Sequence, residues 1–282
     1  MRLASYLLEG RTSYGLVEGE GVIDLGRRIG ASYPDLKSLI AAEAWDAARR
    51  AARGASPDTN VEHLAFLPVI PNPAKIYCVG LNYEEHRIEA GRERSDNPAI
   101  FTRYAECQVG HRQPMLLPRE SAAFDYEGEI AVVVGRGGRR IRKEDAMQHV
   151  AGFSCYNDGS IRDWQRHTTQ WTPGKNFAAT GAFGPWLVTH DEIPDGTVLE
   201  LTTRLNGEVM QKADTEMMIF RIPAVIAYLS AFLPLSPGDV IATGTPGGVG
   251  FKRNPPVYMK AGDVVEVEVS RVGTLVNTIA KD

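Results

Sequence analysis

The segment Phe124-Asp-Tyr-Glu-Gly-Glu-Ile-Ala-Val-Val-Val-Gly135 constrains this chain more than any other. From Ile130 onward it is apolar and β-branched, and Gly135 closes it, so it reads as a strand over Glu127–Val134. Side chains alternate along a strand, which puts Asp125, Glu127 and Glu129 on one face. Carboxylates held side by side repel unless a cation sits between them or one keeps its proton. On so apolar a strand, charge without a partner is costly. A hard divalent ion with oxygen ligands resolves the conflict. Asp158, in Tyr156-Asn-Asp-Gly159, can supply a third carboxylate. The plainer reading of an isolated Glu-x-Glu is a solvated face with both glutamates paired to arginine.

The rest of the composition sets limits. Of 282 residues, 43% are hydrophobic and 23% charged, which is ordinary for a globular chain. The net charge is -4, and the densest basic cluster, Arg136 to Lys143, reads as a solvated turn, so nothing points to nucleic acid. No apolar run reaches membrane-spanning length, and no membrane partner is expected. The first ten residues turn acidic too early for a secretory signal. Cys78, Cys107 and Cys155 form neither a zinc pattern nor a disulfide framework, so a reducing cytoplasm is the expected compartment.

Along the chain, residues 1–32 read as a small meander, and Asp35 to Arg53 as one helix with Leu36, Leu39, Ile40 and Trp45 on a stripe. The Pro-rich stretch Leu67 to Pro73 marks a boundary. We expect a small α/β N-terminal domain over residues 1–70 and a main domain over 71–282. The main domain opens with a strand at Ile76–Val79 and a short helix at Asn82–Ala90, N-capped by Asn82. Further strands are expected at 100–102, 115–117, 150–156, 186–189, 199–205, 208–212, 240–242 and 264–269, with helices at 143–149 and 221–232. Asn206-Gly207 suits a type I′ hairpin. Strands outnumber helices without alternating with them, which argues for a mainly β, α+β fold rather than a doubly wound one.

Four further segments carry candidate chemistry. In Gly80-Leu-Asn-Tyr-Glu-Glu-His-Arg-Ile-Glu89, helical spacing makes His86 and Glu89 neighbours. A carboxylate beside an imidazole fixes its tautomer and raises its basicity, as a general base requires. A surface ion pair is the plainer alternative. In Asp158-Gly-Ser-Ile-Arg-Asp-Trp-Gln165, Arg162 offers a planar fork for a carboxylate and Gln165 a partner for a carbonyl. Lys175, in Gly174-Lys-Asn-Phe177, can neutralise an anion or be a plain loop charge. The Gly-rich run Ala242 to Gly250 can turn backbone N–H groups and the Thr245 hydroxyl toward an anion, but it lacks a phosphate-loop ending. No nucleophile elbow is present, and no cysteine has a visible activating partner.

Taken in order, Gly-x-Asn-Tyr-x-x-His-x-x-Glu, Glu-x-Glu on a strand, Tyr-Asn-Asp-x-Ser-x-Arg-Asp-x-Gln, Gly-Lys-Asn-Phe, Phe183-Gly-Pro-Trp-Leu-Val and Thr-Gly-Thr-Pro-x-Gly-Val-Gly form a pattern that resembles the fumarylacetoacetate hydrolase family. The resemblance runs from about residue 73 to the end and is nearest the acylpyruvate and fumarylpyruvate hydrolase branch. It implies a β-roll-like catalytic domain and a homodimer. By position, Glu127, Glu129 and Asp158 match metal ligands for Mg²⁺ or Mn²⁺. His86 and Glu89 match the catalytic dyad, and Lys175 the active-site lysine. Arg162, Gln165 and Thr245 match substrate contacts. One departure stands out: Arg103-Tyr104 replaces a Lys-Pro pair, which puts Arg103 at the substrate's distal end.

The expected activity is metal-dependent hydrolysis of a carbon–carbon bond in a small 1,3-diketo acid, with water deprotonated by His86 and the departing enolate stabilised by the ion and Lys175. The alternatives are decarboxylation, isomerisation or hydration of a 2-oxo acid through the same enolate, or a non-catalytic metal-binding module. The acyl group is expected to be set by residues around Arg103, His111, Thr168 to Trp171 and Phe251.

Overall fold

A computed structural model describes residues 1–282. The expected mainly β, α+β architecture is what it contains. The central element is the strand Gly128–Val134, buried at every position. Alternation sends Ile130, Val132 and Val134 into one hydrophobic core and Ala131 and Val133 into another. The sheet therefore has a core on each face. The helices Leu36–Ala41 and Trp45–Ala52 cover the Ala131 side through Leu36, Leu39, Ile40 and Ala48. A second, five-stranded sheet covers the other side, supplying Leu201, Val265, Val267 and Leu275.

The large sheet has twelve strands. Gly128–Val134 lies between Val150–Asn157 and Val240–Ala242, antiparallel to both. Val240–Ala242 runs parallel to Ile76–Gly80, which pairs antiparallel with Ala99–Arg103. On the other flank, Gly181–Thr189 joins Val150–Asn157 to the N-terminal strand Arg2–Leu8, through Arg2 opposite Val188 and Leu3 opposite Leu187. The expected meander is Arg2–Leu8, Arg11–Glu18 and Gly21–Asp24, and it extends this same sheet. The second sheet runs in the order Glu208–Asp214, Glu200–Leu205, Val264–Val269, Gly273–Lys281 and Met115–Leu117. Its first hairpin turns at Asn206 (φ 53°) and Gly207 (φ 81°), as the Asn-Gly signal requires.

Three local expectations need correction, and one strand is unexpected. The helix expected over Asp35 to Arg53 breaks in two, because the chain turns left-handed at Glu43 (φ 48°), where no glycine or proline announces it. Asn82 does not cap the following helix, which is Glu84–Glu89. Its buried amide instead donates to Phe220 O and Thr243 O and accepts from Phe220 N–H. Lys143–His149 is 3₁₀ rather than α-helical. Gly273–Lys281 is a nine-residue strand that the polar residues Thr274, Asn277 and Thr278 conceal.

His111 lies away from any cavity expected to hold substrate. It packs edge-on against Phe66, with ring centroids 5.0 Å apart, and its Nδ1 accepts from Val276 N–H. Burial, with the nearby Arg112 charge, lowers its pKa from 6.5 to about 4. The unfolded chain therefore binds a proton that the folded chain refuses between those values. Stability from this residue is complete above pH 6.5 and is lost as pH falls toward 4, by up to about 3 kcal/mol. Denaturant unfolding across this range should show that decline, and His111→Gln should flatten it.

Candidate active site

The ladder between Gly128–Val134 and Val150–Asn157 gathers the acidic residues. Gly128 lies opposite Asn157 and Glu129 opposite Tyr156. Just beyond the paired region, Asp158 N–H donates to Glu127 O, and Asn157 Oδ1 accepts from Glu127 N–H. One carboxylate oxygen from each of Glu127, Glu129 and Asp158 then lies within 4.8 Å of the others, and all three residues are buried. Two glycines make this approach possible. A Cβ at Gly128 would sit 1.9 Å from Thr203 Oγ1. Gly244, at φ 104°, brings its N–H 2.8 Å from Glu129 Oε2.

Asp125 does not join the trio. The strand begins only at Gly128, and Asp125 belongs to a separate two-residue ladder with Ser160–Ile161. Its carboxylate accepts from Gly250 N–H, Phe251 N–H and Arg162 Nε.

Three buried cations answer these four carboxylates. Lys175 Nζ lies 2.6 Å from Glu127 Oε2 and 2.6 Å from Asp158 Oδ2. Arg162 Nη1 lies 2.7 Å from Glu127 Oε1, and Nε 2.8 Å from Asp125 Oδ2. Arg103 pairs with Asp158 Oδ1 and donates to Gly159 O and Thr180 Oγ1. Glu129 alone has no cation. Burial, then the Asp158 and Glu127 charges, push its carboxyl well above the usual range. Burial acts on Glu127 in the same sense, but Lys175 and Arg162 outweigh it and hold that carboxyl below its ordinary value. A buried set of hard oxygen donors with one charge unmet fits a divalent ion of the Mg²⁺ or Mn²⁺ type. Glu127, Glu129 and Asp158 would hold it.

Seven of the expected residues line one cavity of about 730 Å³: His86, Glu127, Glu129, Arg162, Gln165, Lys175 and Thr245. His86 is buried on its short helix, and its Nδ1 lies 3.4 Å from Glu89 Oε2, one turn on. Gly248 N–H donates to the same Glu89 carboxylate at 3.3 Å. Arg162 also donates through Nη1 to Gln165 Oε1, and its Nη2 is buried without any partner. Thr245 gives its proton to Gly128 O and accepts from Gln211 Nε2, so it offers a substrate only a remaining lone pair. Thr168, Thr169, Trp171 and Phe251 also line the cavity. Arg103 does not: it is buried behind Asp158, whose carboxylate it pairs with. Gln211, missed in the sequence, accepts from Gly128 N–H and braces Thr245. Its only signal is a polar residue at a buried strand position.

Residues 75–280 match the family model described as fumarylacetoacetate (FAA) hydrolase C-terminal. The chain belongs to the fumarylacetoacetate hydrolase family. Among curated members of this family, it is 43% identical over 219 residues to a mitochondrial oxaloacetate tautomerase of Xenopus laevis, covering 77% of this chain and 69% of that one. Among solved structures, fumarylacetoacetate hydrolase of Exiguobacterium antarcticum superposes with a TM-score of 0.83 at 31% identity, covering all of both chains. Maleylpyruvate hydrolase of Sphingobium sp. SYK-6, crystallised with manganese(II) and pyruvate, does so at 0.83 and 28% identity, covering 100% of this chain and 99% of that one. Fumarylacetoacetate hydrolase family members are enzymes, and those similar to this chain include both hydrolases and isomerases.

Proposed function

We propose that the chain enolises a small 2-oxo dicarboxylic acid of the oxaloacetate class, interconverting its keto and enol forms. The observation that carries this reading is the convergence of His86, Arg162 and Lys175 on one cavity over the three carboxylates. The similarity to oxaloacetate tautomerases supports the choice of reaction, and replaces the hydrolysis expected from the sequence as the first reading.

The chain's own groups divide the work. The partnerless Nη2 of Arg162 takes the substrate's C1 carboxylate, and Gln165 lies beside it. Glu89 accepts the Nδ1 proton of His86, which leaves Nε2 with a free lone pair. His86 Nε2 removes a proton from C3 of the ketone and returns it to the O2 oxygen, which gives the enol; the reverse sequence regenerates the ketone. Lys175 meets the negative charge on O2 between the two transfers. A divalent ion held by Glu127, Glu129 and Asp158 supplies, when bound, Lewis-acid stabilisation of the same charge.

A second reading uses the same groups. The His86–Glu89 pair suits water as well as a C–H bond. Hydroxide added to the far carbonyl of a 1,3-diketo acid breaks the bond to C3 and releases pyruvate as its enolate, together with the acyl group's acid. The two readings separate in one experiment with Mg²⁺-loaded protein. Oxaloacetate enol decay is followed by ultraviolet absorbance, and pyruvate release is assayed from acetylpyruvate. Accelerated decay without CO₂ release is the expected result. Cleavage of acetylpyruvate with no acceleration on oxaloacetate would establish the hydrolase instead.

A further inference from the structure

Beyond the carboxylates and their cations, the cavity has an outer wall of a different character. Arg92, Arg166 and Lys252 line it, and none of the three has an ion-pair or hydrogen-bond partner for its side chain. Glu93 is the one carboxylate among the lining residues outside the buried trio. Two of these cations are organised by a single aromatic ring. Arg166, at the C-terminal end of the helix Arg162–Gln165, has its guanidinium carbon 4.7 Å from the Phe251 ring centroid, and Lys252 Nζ lies 5.3 Å from the same point. Arg162 lies at 4.3 Å from it. The backbone that carries the ring is anchored, because Asp125 accepts from both Gly250 N–H and Phe251 N–H.

Three positive groups around one ring repel one another. The charge of Arg162 is met by Asp125 and Glu127. Those of Arg166 and Lys252 are met by nothing in the chain. An anion entering the cavity would settle that excess, and the inner end already accounts for one carboxylate through Arg162. We propose that Arg166 and Lys252, held against Phe251, read the second, distal carboxylate of the substrate and so select dianionic 2-oxo acids over monoanionic ones. This rests on the enolisation reading for its choice of substrate but concerns binding rather than turnover.

The test uses the Mg²⁺-loaded full chain and calorimetric binding of two probes. Oxaloacetate carries the distal carboxylate; 2-oxobutanoate carries a methyl group in its place. The side chains of Arg166 and Lys252 are exposed and make no bonds within the chain, so Arg166→Gln/Lys252→Gln should fold normally, as circular dichroism would verify. Losing charge-assisted contacts should weaken oxaloacetate binding by roughly 10–100-fold, and raised salt should weaken it in wild type more than in the double variant. Binding of 2-oxobutanoate should change by less than about twofold. Equal weakening of both probes, or unchanged oxaloacetate affinity, would overturn the assignment. If wild type bound oxaloacetate through these residues yet failed to tautomerise it, the selectivity would stand and the enolisation reading would fall.

Discussion

Glu129→Gln should abolish turnover and divalent-ion binding together while leaving the fold intact. The substitution keeps the side chain's shape, and the amide oxygen can still accept the Gly244 N–H. It removes the one carboxylate of this buried site that no cation in the chain neutralises. Lewis-acid stabilisation amounts to several kcal/mol in such sites, and each 1.36 kcal/mol is a factor of ten, so the loss in rate should be at least about a thousandfold. The effect on stability should run the other way. Without the ion, burial and then the Asp158 and Glu127 charges oppose ionisation of Glu129. Removing its charge should leave the chelated protein as stable as wild type or more so. Adding Mg²⁺ should raise the Tm of wild type, because a ligand bound only by the folded state stabilises it, and should leave Glu129→Gln unmoved. Wild-type turnover in the variant would remove the metal assignment.

His86→Gln should cost about 10²–10⁴ in kcat, the usual contribution of a positioned general base, with divalent-ion affinity unchanged. The separation of these two readouts matters, because His86 lies in the same cavity as the carboxylates but belongs to the helix Glu84–Glu89 rather than to the strand ladder. Glu89→Gln should fall between wild type and His86→Gln, since it disturbs the imidazole's tautomer without removing the base; a loss of about 10–100-fold is expected. Turnover retained in His86→Gln would leave the cavity without its base.

Much of the site could be read from the residues before the fold was known, for local reasons. Glu127 and Glu129 flank one glycine at the start of an apolar β-branched run, so the sequence keeps them close, although the strand begins at Gly128 and bonds to Asn157 and Asp158 complete the placement of Glu127. His86 and Glu89 are one helical turn apart, and Arg162 and Gln165 likewise, so each pair forms within its own short helix. What escaped was decided at long range. Asp125 has the same spacing as the two glutamates, yet the strand starts after it, and the loop at Gly250 captures its carboxylate. Arg103 faces Asp158 from across the large sheet, and nothing near it in the sequence says that it points inward. Gln211 and the Phe251 cluster come from segments brought in by the second sheet and by the loop after Val240–Ala242. The fold class followed from the number of strands, whereas the break at Glu43 and the strand Gly273–Lys281 had no local marker.

We propose that this cavity makes enolates and that a divalent ion, which Glu127, Glu129 and Asp158 would hold, stabilises them. Proton NMR of pyruvate in deuterium oxide, at concentrations high enough to saturate a site that favours dianions, tests it most directly, because exchange at C3 reports the enolate regardless of which reaction follows. With Mg²⁺, wild type should wash deuterium into the methyl group well above the protein-free rate, and chelation, Glu129→Gln or His86→Gln should each return exchange to background. Exchange at the same rate with the ion removed, or none with it present, would contradict the account.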